Sequence, residues 1–212
     1  MALTFVHSPD APLAGATASP APVVVFLHGY GSDERDLAGL APYLPAGLPW
    51  VSVRAPLRHP SINYSWYPLV DIGSESDAPG IGAATEALWE WVDDELAADA
   101  QLIPVGFSQG GLMASQLLRT HAERVAAAAI LSGYVQSAPQ PADALLAESP
   151  RPVFWGRGTA DVVIPSHAVD ATSAFLPGHS ILTECVYRGL PHSVNEEELA
   201  DLASFLRGVL AA

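Results

Sequence analysis

The sequence predicts an α/β protein: a three-layer α/β/α sandwich on a mostly parallel sheet of about seven strands, without a large cap domain. Three observations predict it. Short apolar runs alternate with helical patterns along most of the chain. Some of these runs, such as Val23-Val24-Val25-Phe26-Leu27, are apolar on both faces, as a parallel strand covered by helices must be. Polar and glycine-bearing segments fall at the C-terminal strand ends, where right-handed crossovers gather loops over one crevice. With 212 residues, 50% hydrophobic and 15% charged, the chain is expected to be one domain over 1–212 with a real core.

The elements follow in order. Leu3 to His7 reads as a short strand at a sheet edge. Residues 8–22, rich in Pro, Ala and Ser, read as a loop. The strand Pro22 to Leu27 ends in His28-Gly29-Tyr30-Gly31, where glycines permit a path that turns an amide toward a ligand. Leu37, Leu40, Ala41 and Leu44 share one face of a short helix, and Trp50 to Arg54 is the next strand. From Ala55 to Pro79 the chain is irregular. Its aromatics Tyr64, Trp66 and Tyr67 either line a pocket or anchor a surface loop. A helix over 82–98 precedes the strand Leu102 to Val105. Arg124 to Leu131 reads as a strand despite its alanines, ending in Ser132-Gly133-Tyr134. After a loop and a short helix over 138–148 come the strand Pro152 to Gly156 and a helix over 165–175. The strand around Cys185 is expected to bury its thiol. The last helix starts near Ser193 or Asn195, each with a glutamate three residues on that suits a capping box.

The most informative stretch is Gly106-Phe107-Ser108-Gln109-Gly110-Gly111. An apolar run precedes it and a helical pattern follows. Strand, sharp turn with serine at the apex, then helix is the nucleophile-elbow arrangement. The flanking glycines relieve crowding, and the helix N-terminus favours developing negative charge. A glycine-rich turn with a solvent-facing serine is the plainer reading. A serine nucleophile needs a base held by a third group. Of seven histidines, His192 follows the last strand, where a short loop can reach over Ser108. His28 is at the same sheet edge but is read as holding its glycine turn. Asp161 follows the neighbouring strand, whereas Asp170 lies inside a helix. The backbone N–H groups of Gln109 and Tyr30 are the candidate donors to an oxyanion.

These pieces resemble the phospholipase/carboxylesterase family of small α/β hydrolases, which includes acyl-protein thioesterases and bacterial carboxylesterases. The resemblance rests on Leu27-His28-Gly29-Tyr30-Gly31, Gly106-Phe107-Ser108-Gln109-Gly110-Gly111, Gly158-Thr159-Ala160-Asp161 with Val162 to Pro165, and Pro191-His192. It implies an α/β-hydrolase fold and a serine carboxylesterase acting on short- to medium-chain esters. Ser108, Asp161 and His192 carry over as the triad, and the Tyr30 and Gln109 amides as the oxyanion hole. Substrate contacts are implied from Tyr30, Trp66, Tyr67 and Leu190. Leu190-Pro191-His192 stands where many members carry Gly-x-Gly-His. Thioesterase or lysophospholipase action on the same triad is an alternative, as are a peptidase or dienelactone-type hydrolase and a non-catalytic binding protein of this fold.

Composition narrows the partners. Nine basic residues, all arginine, against 23 acidic ones give a net charge of −14. That disfavours nucleic acid and anionic membrane surfaces. The one cysteine permits no disulfide within the chain, and no leader or spanning stretch is evident, so a cytoplasmic protein is expected. No metal or other cofactor is expected, and the oligomeric state stays open between a monomer and a homodimer.

Overall fold

Alternation along the strands decides how the layers assemble. A computed structural model describes residues 3–15, 21–74 and 77–211. Residues 16–20 and 75–76, which the sequence assigns to loops, lie outside the described residues. The strands are β1 (Phe5–His7), β2 (Val23–Leu27), β3 (Trp50–Val53), β4 (Leu57–Arg58), β5 (Tyr64–Ser65), β6 (Leu102–Phe107), β7 (Ala128–Leu131), β8 (Arg151–Gly158) and β9 (Ser180–Tyr187). The helices are α1 (Ala78–Glu95), α2 (Gln109–Thr120), α3 (Asp143–Glu148), α4 (Ser166–His179) and α5 (Glu196–Leu210), with a 3₁₀ helix at Leu37–Tyr43.

Seven strands form the main sheet in the order β1-β3-β2-β6-β7-β8-β9. Only β1 runs antiparallel, against β3 at one edge; the remaining neighbours are parallel. Val23, Val25 and Leu27 of β2 pack into one core with Leu88 and Val92 of α1 and Leu112 and Leu117 of α2. Val24 and Phe26 point the other way, into a second core with Leu37 of the 3₁₀ helix and Leu202 and Leu206 of α5. The period-2 pattern thus feeds two apolar layers, one on each face. At roughly 25 cal/mol per Å² of apolar area, such doubly covered strands supply much of the folding drive.

The structure corrects several local expectations. The segment over 55–79 is not wholly irregular: β4 and β5 pair as a small antiparallel ribbon. Helix α1 begins at Ala78 rather than Gly82, with Pro79 in its first turn, where a missing N–H costs nothing. The strand expected from Arg124 is confined to Ala128–Leu131, after a 3₁₀ turn at Ala122–Arg124. Cys185 is half-buried rather than buried, because β9 is the last strand of the sheet and one edge of it is open. At α5 the Asn195 side chain accepts from the Glu198 N–H at 2.8 Å, completing half of a capping box. The Glu198 carboxyl does not reach back. It is fully buried, and neither oxygen has a hydrogen-bond partner.

Candidate active site

The elbow is built from close backbone approaches. A Cβ on Gly106 would overlap the Gly110 carbonyl, and one on Gly110 would overlap the Leu27 carbonyl of β2. Only glycine at both positions lets α2 start directly on top of the sheet. Ser108 between them takes φ 55°, a left-handed value that costs a non-glycine residue free energy. Its N–H is fixed to the Leu131 carbonyl at 2.9 Å.

The three residues singled out by their strand ends meet here. Ser108 Oγ lies 2.9 Å from His192 Nε2, and His192 Nδ1 lies 2.8 Å from Asp161 Oδ2. Asp161 Oδ1 accepts from the Val163 and Ile164 N–H groups at 2.8 and 3.2 Å, which fixes the carboxylate plane. An Nδ1–H directed at Asp161 leaves Nε2 to accept the serine proton. Phe107 supports the imidazole from one side, with ring centroids 4.9 Å apart.

The turn after β2 is tied down by His28. Its Nδ1–H donates to the Gly29 carbonyl at 2.8 Å, and Nε2 accepts from the Ala55 N–H at 3.1 Å. Burial pushes the His28 pKa down, which favours the neutral ring that this pattern needs. Gln109 is the first residue of α2, so its N–H has no acceptor within the helix. Gly29, Tyr30, Ser108 and Gln109 border one cavity of about 240 Å³.

The expected substrate contacts divide. Tyr30 and Tyr67 line this cavity, whereas Trp66 and Leu190 are not among its lining residues. Trp66 is buried and its indole N–H donates to the His28 carbonyl at 2.8 Å. It braces the turn instead of touching the cavity. Leu190 is buried too, and its carbonyl accepts from the Ala160 N–H at 3.0 Å, joining the loops of His192 and Asp161. Leu69, Ile72, Tyr134, Val163 and Ile164 complete much of the wall and were not singled out from the sequence. Tyr134 follows a strand end, so the rule that found Asp161 would also have found it. The Gln109 side chain has a second use: Oε1 accepts from the Trp66 N–H at 2.8 Å, and Nε2 donates to the Tyr67 carbonyl at 2.9 Å.

The family model for phospholipase/carboxylesterase matches residues 11–210. The chain belongs to the phospholipase/carboxylesterase family. A probable carboxylesterase of Oryza sativa subsp. japonica is 27% identical, over 95% of this chain and 83% of its own length. The acyl-protein thioesterase 1 of Cryptococcus neoformans var. neoformans serotype D is 26% identical, over 88% of this chain and 92% of its own. The crystal structure of esterase PE8 superposes with a TM-score of 0.73 at 26% identity, covering 99% of this chain and 100% of that one. The Bacillus cereus carboxylesterase shares the fold, with a TM-score of 0.77 at 19% identity over 98% of this chain and 94% of that one. The sequence reading of an α/β-hydrolase sheet and of this family therefore agrees with these comparisons. Among the described residues no helix is long and apolar enough to cross a membrane.

Proposed function

We propose that the chain is a serine carboxylic ester hydrolase for short- to medium-chain acyl groups, with Ser108, His192 and Asp161 as its catalytic triad. The observation that carries the proposal is the unbroken hydrogen-bond line Ser108–His192–Asp161 at 2.9 and 2.8 Å. His192 Nε2 takes the hydroxyl proton as Ser108 Oγ attacks the ester carbonyl. The carbonyl oxygen becomes an oxyanion held by the Tyr30 and Gln109 N–H groups. Collapse breaks the bond to the alcohol, which leaves with the proton from His192. Water then gives a proton to His192 and attacks the acyl-enzyme, and the acid leaves as Ser108 regains its proton.

The cavity of about 240 Å³ supports a modest acyl group, being small beside the roughly 300–1,000 Å³ of drug-sized ligand sites. Thioester hydrolysis on the same triad is the second reading, favoured by relatives named acyl-protein thioesterase 1. A panel of aryl esters and thioesters of graded acyl length separates the two. Ser108→Ala should lower kcat by at least about 10³-fold and abolish labelling by a serine-directed phosphonate. Unchanged turnover in that variant would refute the triad. A cytoplasmic location belongs to the same proposal, and cell fractionation tests it.

A further inference from the structure

The cavity wall holds a buried pair of phenols that the proposed chemistry leaves unused. Tyr67 follows β5 and Tyr134 follows β7, and they are only 1% and 2% exposed. Their hydroxyl oxygens lie 3.2 Å apart. Two phenols carry two O–H donors, and the bond between them uses one.

The neighbours of the pair do not take up the other. The Gly73 backbone near Tyr134 and the Gln109 side chain near Tyr67 both act to lower the phenol pKa values, as donors do, and neither takes a proton from the pair. The Gln109 carboxamide is engaged with backbone, its oxygen by the Trp66 N–H and its nitrogen by the Tyr67 carbonyl. Asp77 Oδ2 is buried without a hydrogen-bond partner, so it does not accept the proton either. Burial pushes both phenols above their ordinary range and the Asp77 charge adds to this, so both keep their protons. Among the described residues one phenolic O–H therefore remains without a protein acceptor, in residues that line the same cavity as Ser108. A buried donor in that position is unfavourable until a ligand accepts from it.

We propose that the Tyr67–Tyr134 hydroxyl pair is a specificity site for acyl groups carrying an uncharged oxygen acceptor along the chain. The remaining wall sharpens this preference. Leu69, Ile72, Phe107, Val163 and Ile164 offer no side-chain donor, and the Tyr30 phenol is 43% exposed, so the buried phenolic donor open to an acyl oxygen is the Tyr67–Tyr134 pair. A carboxylate is disfavoured, because the charges of Asp77 and Asp71 both act on Tyr134. This inference rests on the reading of Ser108 as the nucleophile.

The test compares 4-nitrophenyl pentanoate and hexanoate with esters in which one chain methylene, beyond the α position, is replaced by an ether oxygen. Each kcat/KM is divided by that ester's alkaline hydrolysis rate, which removes intrinsic reactivity. The oxygenated ester should exceed its alkyl isostere by at least about threefold at one position, the worth of one modest hydrogen bond. The double variant Tyr67→Phe with Tyr134→Phe should bring that ratio to one or below. Tyr134→Phe alone leaves one donor, on Tyr67, and should retain a preference. Each ratio is internally referenced, since loss of folded enzyme scales both rates. A wild-type ratio below three at every position, or a double variant that keeps the wild-type ratio, overturns the proposal. If Ser108→Ala also retains turnover, the nucleophile reading has failed; if it is inactive, only the specificity site has.

Discussion

Asp161 uses its two oxygens in different directions. Oδ1 accepts two backbone N–H groups, so that position must hold an oxygen, while Oδ2 faces His192 Nδ1. In Asp161→Asn the amides keep the carbonyl oxygen, and the NH₂ turns toward the imidazole. The ring must then accept at Nδ1 and carry its proton on Nε2, where it cannot take one from Ser108. We expect kcat to fall by roughly 10³–10⁴-fold with little loss of stability. Turnover within tenfold of wild type in the Asn variant would contradict Asp161 as the orienting acid. Glu198 gives the pH-dependent case. Burial, with the Asp201 charge one turn on, raises its pKa to about 7. Asp201 is itself bonded by the Tyr187 hydroxyl, and the Cys185 thiol faces the same pair. Since the folded state binds the Glu198 proton more tightly than the unfolded state, its contribution is fully present below about pH 4.5 and is lost as pH rises through about 7. Glu198→Gln removes that titration. Its stability relative to wild type should therefore improve between pH 5 and pH 8 by up to about 3 kcal/mol, read from urea midpoints. A difference that stays constant with pH would show that Glu198 does not titrate in this range.

At the scale of elements, the joint between β6 and α2 is where one methyl group matters most. Gly110 faces the Leu27 carbonyl of β2, a backbone atom that cannot rotate aside. Gly110→Ala should cost at least about 3 kcal/mol and abolish soluble, active protein. A methyl group added at Gly82, also helical, would meet nothing within 4 Å, so Gly82→Ala should gain roughly 0.5–1 kcal/mol from helix propensity. Equal stability in the two variants, by urea unfolding, would remove the close-approach argument. The sequence announced this joint because its glycines stand at fixed offsets from a serine between an apolar run and a helical pattern. It was silent about β4 and β5, since two-residue strands have no period to read. It misjudged Cys185 for a different reason. An apolar run in β9 resembles a doubly covered strand, but the exposure of Ile181 at 61% and Val186 at 46% reflects an open edge that only the strand order reveals.

For the whole molecule, parallel topology turns separate strand ends into one crevice. Ser108, Asp161 and His192 were legible because each follows a different strand, and a single hand of crossover places such loops together. The wall residues were less legible. Trp66 looked like a pocket aromatic because composition does not show direction, and its indole is occupied by the His28 carbonyl. Charge is the opposite case: the total is plain in the sequence, while its effect depends on where the field reaches. The residues that line the Ser108 cavity, including Tyr30, Leu69 and Val163, are uncharged, so acidic groups behind them, such as Asp71 and Asp77 near Tyr134, and the rest of the net −14 act on a substrate without touching it. Such long-range repulsion is strong at low salt, where the screening length is about 30 Å at 0.01 M, and weak at about 8 Å in 0.15 M. For an anionic aryl ester, 4-carboxyphenyl butyrate, kcat/KM should therefore rise about two- to fivefold between roughly 0.01 and 0.3 M NaCl. The neutral 4-carbamoylphenyl ester has nearly the same shape and should change by less than about 1.5-fold, which separates field effects from salt effects on the enzyme itself. Equal salt responses for the two esters would mean that the acidic groups lie on faces turned from the crevice. In that case local wall chemistry alone, without the molecular charge, governs which esters arrive.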